Sequence, residues 1–246
     1  MTGIELSVRK KGVKRAMYAW LFFDADRTLL DYDKAERKAL EAALAEEGIK
    51  TSAEHVDVYR AVNEALWKRF ELGEVTQDTV RVERFRRFAE RFRLTFDPAV
   101  FSDRYVKQLS KRADLLEDAE AVVRALHGEV GLLLLTNGMP EVQRSRLANS
   151  PLHSLFQHIV ISEEVGAAKP DRRIFDFAMQ AAGNPSTSQV LMVGDSLSSD
   201  IEGAVRYGID SCWFNPSGKR NGTSFRPTYE INTLRELIPL LKGNIG

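Results

Sequence analysis

Short apolar runs of strand length recur at Tyr18–Phe23, Val130–Leu135, His158–Ile161 and Val190–Val193, with a weaker one at Ser211–Phe214. Segments of helical period separate most of them. A run that is apolar at successive positions must be buried on both faces, and strands of that kind alternating with helices build a parallel sheet flanked by crossover helices. The expected fold class is therefore α/β, a Rossmann-like parallel sheet.

Between the first and second runs the chain spends roughly a hundred residues without a convincing strand, far more than one crossover needs. The pattern there is helical: Ala35–Glu47, Ala53–Leu72, Thr76–Phe92 and Ala99–Arg112 each carry apolar residues three and four apart. Glu71-Leu72-Gly73 and Phe96-Asp97-Pro98 read as turns between helices. This predicts an inserted four-helix cap over residues 33–113, on a core made from 1–32 and 114–246. Within the cap, "RVERFRRFAERFRL" interleaves arginines with aromatics, as some nucleic-acid-binding segments do. Phe85, Phe88 and Phe92 form one stripe while Arg84, Arg87 and Arg91 fall elsewhere on the wheel, so the segment reads as an amphipathic helix with its phenylalanines inward.

Composition narrows the partners. Thirty-five basic residues balance thirty-five acidic ones in 246, so no overall field draws the chain to nucleic acid or to an anionic membrane. The expected partner is a small molecule. A single cysteine, Cys212, excludes an internal disulfide and a thiolate metal cluster and suits a reducing compartment, with the cytoplasm as the default. No stretch approaches the ~20 apolar residues needed to span a bilayer. The first sixteen residues, with Arg9, Lys10, Lys11, Lys14 and Arg15, lack the apolar centre of a secretory signal and read as a flexible basic extension.

In an open parallel sheet, ligands gather at the carboxyl ends of the strands. After the first run, in "LFFDADRTLL", come Asp24 and Asp26. Thr136 and Asn137 follow the second; Lys169, within "GAAKP", lies beyond the third; Asp195 and Asp200, within "GDSLSSD", follow the fourth. Singly, each residue has an ordinary explanation as a helix cap, a turn or a solvated charge. Jointly they bring carboxylates, a hydroxyl and a lysine to one rim. Carboxylates without histidine or thiolate suit a hard cation such as Mg²⁺, with Mn²⁺ able to substitute, and the hydroxyl, the lysine and loop N–H groups suit phosphate. One aspartate can then attack a phosphoryl group to form an aspartyl-phosphate, and the second can protonate the leaving oxygen and later deprotonate the attacking water.

"DADRT", "TNG", "AKP" and "GDSLSSD", in this order and with a helical insertion after the first, resemble the four signature motifs of the haloacid dehalogenase superfamily of phosphatases, over roughly Tyr18 to Leu241. The resemblance implies that Asp24 is the nucleophile and a metal ligand, and that Asp26 is the general acid/base whose backbone carbonyl also binds Mg²⁺. It further implies that Thr136 and Lys169, with Asn137, hold phosphate, that Asp195 binds the metal and that Asp200 orients the metal shell. Arg27 departs from the glycine that many members carry there; its charge is expected to face solvent, with substrate the alternative. "YRAVNEALWKRFELGEVTQDTVRVERFRRFAERF", "VISEEVGAAKPDRRIFDFAMQAAGNP" and "SCWFNPSG" further resemble the pyrimidine nucleoside 5'-monophosphatases, which implies a nucleotide substrate. Asn63 and Trp67, four apart on one helical face, are candidate base contacts, against the alternative that the tryptophan is core. The runner-up is a sugar-phosphate, acylsugar-phosphate or phosphoglycolate phosphatase on the same core. A hydrolytic dehalogenase needs neither Asp26 nor the Asp195/Asp200 pair, and a non-enzymatic binding protein has no need of the full motif set.

Overall fold

The computed structural model describes residues 18–241; the basic N-terminal extension lies outside them. Strand β1 (Trp20–Phe23) runs into a loop and then helix α1 (Tyr32–Glu46), followed by α2 (Ala53–Glu71), α3 (Gln77–Phe92) and α4 (Pro98–Ser110). The chain returns through α5 (Ala119–Leu126) to β2 (Gly131–Thr136), α6 (Pro140–Ala148), β3 (His158–Ile161), the short α7 (Ser162–Val165) and α8 (Arg172–Ala181). It finishes with β4 (Val190–Gly194), a π-helical turn (Leu197–Ile201), α9 (Glu202–Tyr207), β5 (Asp210–Phe214), β6 (Tyr229–Ile231) and α10 (Leu237–Leu241).

All six strands are parallel, in the order β3-β2-β1-β4-β5-β6. The α/β class expected from the apolar runs is the observed one. β1 is the topological switch: the chain builds outward to β3 on one side and then restarts with β4 on the other, which leaves a crevice at the carboxyl ends of β1, β2 and β4. Successive residues of β1 face opposite layers. Leu21 and Phe23 pack with Val122 and Val123 of α5, whereas Phe22 packs with Ile174 and Phe175 of α8. Strand β6 carries no apolar run in the sequence, because it is three residues at the sheet edge and only Ile231 of it is buried.

Helices α1 to α4 each begin at a side-chain cap: Asp31, Ser52, Thr76 and Asp97 accept from backbone N–H groups of the first turns, and Pro98 occupies the first turn of α4. Their shared core is aromatic. Phe85 and Phe88 of α3 pack with Tyr59 of α2 and with Phe101 and Tyr105 of α4. Met139 and Val142, at the start of α6, join this cluster and seat the helical insert on the sheet domain. The two crossing segments are themselves paired, with Asp31 N–H donating to Asp114 O and Leu116 N–H to Leu29 O, each at 2.9 Å. Among the described residues no helix is long and apolar enough to cross a membrane.

Candidate active site

Asp24 directly follows β1 and is still tied to the sheet, its N–H donating to Val193 O at 2.9 Å. One carboxylate oxygen accepts from Lys169 Nζ at 2.7 Å and the other from Thr28 Oγ1 at 3.3 Å. Lys169 Nζ also lies 2.7 Å from Asp200 Oδ1 and donates to Leu135 O at 2.6 Å, so a single buried ammonium links β1, β2 and the turn after β4. Burial pushes the Asp24 carboxyl up, Lys169 pulls it back and Asp200 pushes it up again, leaving it raised to about 7. Asp195 is held well above the usual carboxylate range, first by burial and then by Asp24 and Asp200. For Lys169, burial opposes the charge, but Asp200 and Asp24 outweigh it and hold the ammonium above its ordinary range.

Asp24, Asp195 and Asp200 each offer one oxygen, all within 4.8 Å of one another. Three carboxylates gather around one ammonium, those of Asp24 and Asp195 pushed up by burial and by their acidic neighbours, and the donor set is oxygen only. Both facts fit a hard divalent cation. Asp200 reaches this position through the π-helical turn, where Ser196 N–H donates to Asp200 Oδ2 at 3.0 Å. Gly194 makes room for it: a Cβ there would sit 2.2 Å from Asp200 Oδ2. Trp213 of β5 donates its indole N–H to Asp195 O at 2.9 Å, fixing the loop that carries the third acid.

Thr136 closes β2 and is buried, its Oγ1 accepting from Gly138 N–H at 3.2 Å. The structure gives the Asn137 side chain a partner other than an anion. Its Nδ2 donates to Lys169 O at 2.9 Å and its Oδ1 accepts from Lys169 N–H at 2.8 Å, so both ends of the amide hold the backbone that aims the lysine.

Asp26 points toward α6. Gln143 Nε2 donates to its Oδ2 at 2.6 Å, and the fully buried Arg146 pairs with its Oδ1 through Nη1 while donating from Nε to Arg112 O at 2.8 Å. A Cβ on Gly138 would lie 2.1 Å from Gln143 Nε2, so the glycine of "TNG" lets α6 approach the acid. Gln143 and Arg146 escaped the reading of the sequence. The available signal was polar residues three apart on the helix that immediately follows the second motif.

Arg27 adopts φ of +63°, the left-handed region that glycine enters freely, which is a physical reason for glycine at this position elsewhere. Its side chain is only partly exposed. It donates to Asp33 at 2.8 Å and Glu64 at 3.1 Å, lines the cavity at its rim and does not simply face solvent. Asn63 is buried and fully engaged: Nδ2 donates to Tyr32 Oη at 3.2 Å and Glu36 Oε1 at 3.1 Å, while Oδ1 accepts from Arg84 Nη1 at 3.1 Å. Trp67 is half-buried against the insert's core, edge-on to Phe70, and lines the cavity. Arg84 is the correction to the wheel reading of α3. It lies off the phenylalanine stripe yet is buried beside it, 1% exposed and stacked over Phe85 and Tyr105.

These groups line a cavity of about 560 Å³ with Asp24 and Lys169 on the sheet side and Asn63, Trp67 and Arg84 on the insert side. Ser198 Oγ donates to Glu71 at 2.7 Å across the mouth, joining insert and sheet domain.

Residues 18–208 match the model of the haloacid dehalogenase-like hydrolases. The chain belongs to that family. Among haloacid dehalogenase-like hydrolases it is 36% identical to pyrimidine 5'-nucleotidase YjjG of Escherichia coli over 222 residues, covering 90% of this chain and 97% of that protein. It is also 36% identical to pyrimidine 5'-nucleotidase PynA of Streptococcus pneumoniae over 229 residues, 93% of this chain and 97% of that one. The crystal structure of the HAD-hydrolase YfnB from Bacillus subtilis, bound to magnesium, superposes with a TM-score of 0.87 at 33% identity, covering 91% of this chain and 98% of that one.

Proposed function

We propose that this haloacid dehalogenase-like hydrolase is a phosphomonoesterase that works through an aspartyl-phosphate on Asp24 and takes pyrimidine nucleoside 5'-monophosphates. The observation that carries the reading is the Asp24 carboxylate at the floor of the cavity, gripped by Lys169 and flanked by Asp195 and Asp200. The two nucleotidase relatives, similar over nearly the whole chain, support the choice of substrate. Residues 33–113 serve as the cap that encloses it, on a core formed, among the described residues, by 18–32 and 114–241.

A Mg²⁺ ion held by Asp24 and Asp195, with Asp200 beside them, would supply positive charge to neutralise the phosphoryl oxygens. The magnesium-bound form of YfnB supports that choice of ion. The remaining chemistry belongs to the chain. Asp24 Oδ attacks phosphorus in line with the ester oxygen, and the P–O bond to the nucleoside breaks as Asp26 donates a proton to the departing oxygen. Lys169 and the Thr136 hydroxyl steady the phosphoryl oxygens. Asp26, now a carboxylate, takes a proton from water as that water attacks phosphorus, releasing inorganic phosphate and restoring Asp24.

Two measurements test this. Across a panel of UMP, dTMP, CMP, AMP, ribose 5-phosphate, a hexose phosphate and phosphoglycolate, a pyrimidine nucleotide is expected to show the highest kcat/KM. A higher value for phosphoglycolate or a sugar phosphate rejects the substrate assignment and promotes the runner-up. Hydrolysis of an aryl phosphate is expected to vanish in excess chelator and return with Mg²⁺ or Mn²⁺. Full turnover by metal-stripped protein rejects the role given to the three acids.

A further inference from the structure

Arg84 presents an unusual imbalance. Its guanidinium is 1% exposed and lines the cavity, yet only Nη1 has a hydrogen-bond partner, Asn63 Oδ1; Nε and Nη2 are buried without one. Leaving buried charged donors unpaired is costly. The charge itself is met in part by its neighbours. Asn63 links Arg84 to the buried Glu36 carboxylate, which is itself paired with Arg60 at 3.2 Å, and the Phe85 and Tyr105 rings lie 4.8 and 5.0 Å from the guanidinium carbon. What the guanidinium lacks is an acceptor for Nε and Nη2.

The polar groups beside it sharpen the chemistry. Asn63 has spent both N–H groups of its amide and its oxygen already accepts from Arg84, so it has no donor to spare for a ligand. Tyr32 Oη, which also lines the cavity, accepts from Asn63 and keeps its own proton for donation; burial holds that phenol up at about 12, so it stays protonated. The groups beside Arg84 with capacity left are donors, while the cap-side carboxylates of Glu64 and Glu71, which also line the cavity, are already held by Arg27 and by Ser198. The cavity's volume, shared with the catalytic carboxylates, suits a ligand of mononucleotide size.

The geometry points to a base-recognition subsite in which Arg84, aimed by Asn63 and assisted by Tyr32, donates to ring carbonyl oxygens of a neutral pyrimidine such as uracil or thymine. This inference rests on the nucleotidase reading and deepens it, since it names the residue and the edge of the base. Asn63 becomes a positioning residue for Arg84 rather than a contact. The unpaired N–H groups of Arg84 and the free proton of Tyr32 favour the two carbonyls of uracil over the amino group of cytosine or adenine, which brings a donor where Arg84 needs an acceptor.

The test compares wild type with Arg84→Lys, which keeps the charge and loses the fork, on UMP, CMP and ribose 5-phosphate. Wild type is expected to prefer UMP over CMP. Arg84→Lys is expected to lower kcat/KM for UMP by about 10- to 100-fold, mainly through KM, while ribose 5-phosphate changes by less than about twofold. Equal losses on UMP and ribose 5-phosphate assign Arg84 a structural role and overturn the subsite while leaving the nucleotidase reading intact. An Arg84-dependent preference for phosphoglycolate overturns it in favour of a carboxylate site. Should Arg84→Lys fail to fold, wild-type protein decides: UMP is compared with analogues lacking the 2- or the 4-carbonyl, and equal kcat/KM for all three overturns the proposal. No preference for any nucleotide over ribose 5-phosphate removes the nucleotidase reading and the subsite together.

Discussion

Replacing Asp24 with asparagine is expected to abolish turnover on every substrate, by on the order of 10⁴-fold or more, because the amide oxygen is a poor nucleophile. The surroundings accept the change. Lys169 keeps Asp200 and Leu135 O as partners, and the asparagine oxygen can still accept from its ammonium. The Thr28 hydroxyl, which donates to Asp24 Oδ2, can turn to accept from the new amide N–H. The variant is thus expected to fold and to bind nucleotide while remaining unphosphorylated. Mass spectrometry of quenched wild-type protein should find the phosphoryl group on Asp24, and none on the variant. A phosphoryl group on any other residue, or a variant that retains turnover within tenfold of wild type, would remove Asp24 from the role of nucleophile.

The position of Asp24 follows from its place in the sequence with little help from anything else. A fully apolar run such as Leu21–Phe23 has to lie inside a two-faced parallel sheet, and in such a sheet every strand ends at the same rim. The residue after each run is therefore placed by the period alone. Asp24 and Thr136 were locatable that way and Asp195 one residue beyond its run, and the structure sets all three around one cavity. Lys169 and Asp200 lie further along their loops, and the cues for them were the motifs "AKP" and "GDSLSSD" rather than the period.

The groups around Asp26 and Arg84 were not legible, for a different physical reason. Gln143 and Arg146 meet Asp26 across 117 and 120 residues of chain, and no local spacing encodes a contact of that range. Arg84 was misread because one apolar stripe was taken to define the whole buried face of α3. The insert surrounds that helix on a wider arc, and Arg84 shares a four-residue row with the buried Val80 and Phe88. A long charged side chain in such a row buries only when partners such as Asn63 and two aromatic rings await it, and those arrive from other helices. Asn63 shows the converse. An amide on the correct face reads as a ligand contact from spacing, and only the packed neighbours reveal that its hydrogen bonds are already spent.

The second large effect separates the two acids of "DADRT". Asp26→Asn is expected to fold with its contacts re-made. Arg146 can still donate to the remaining oxygen, and Gln143, whose Oε1 is buried without a partner, can turn its amide to offer that oxygen to the new N–H group. What the variant loses is the proton. In the first step the proton matters in proportion to how poor the leaving group is, so a nucleotide, which expels an alkoxide, should be slowed by ~10²- to 10⁴-fold, while an aryl phosphate with a stabilised phenolate leaves with a much smaller loss. In the second step water attacks the same aspartyl-phosphate whatever the substrate was, and the missing base slows that step equally. Rapid-quench measurements on the variant with an aryl phosphate should therefore show a burst of phenol matching the enzyme concentration, followed by slow turnover and an accumulated phosphoenzyme. With a nucleotide the same protein should show slow turnover and no burst. A variant slowed by one common factor on both substrates, with no phosphoenzyme above the wild-type level, would make Asp26 a structural partner of Arg146 and leave the leaving oxygen without an acid.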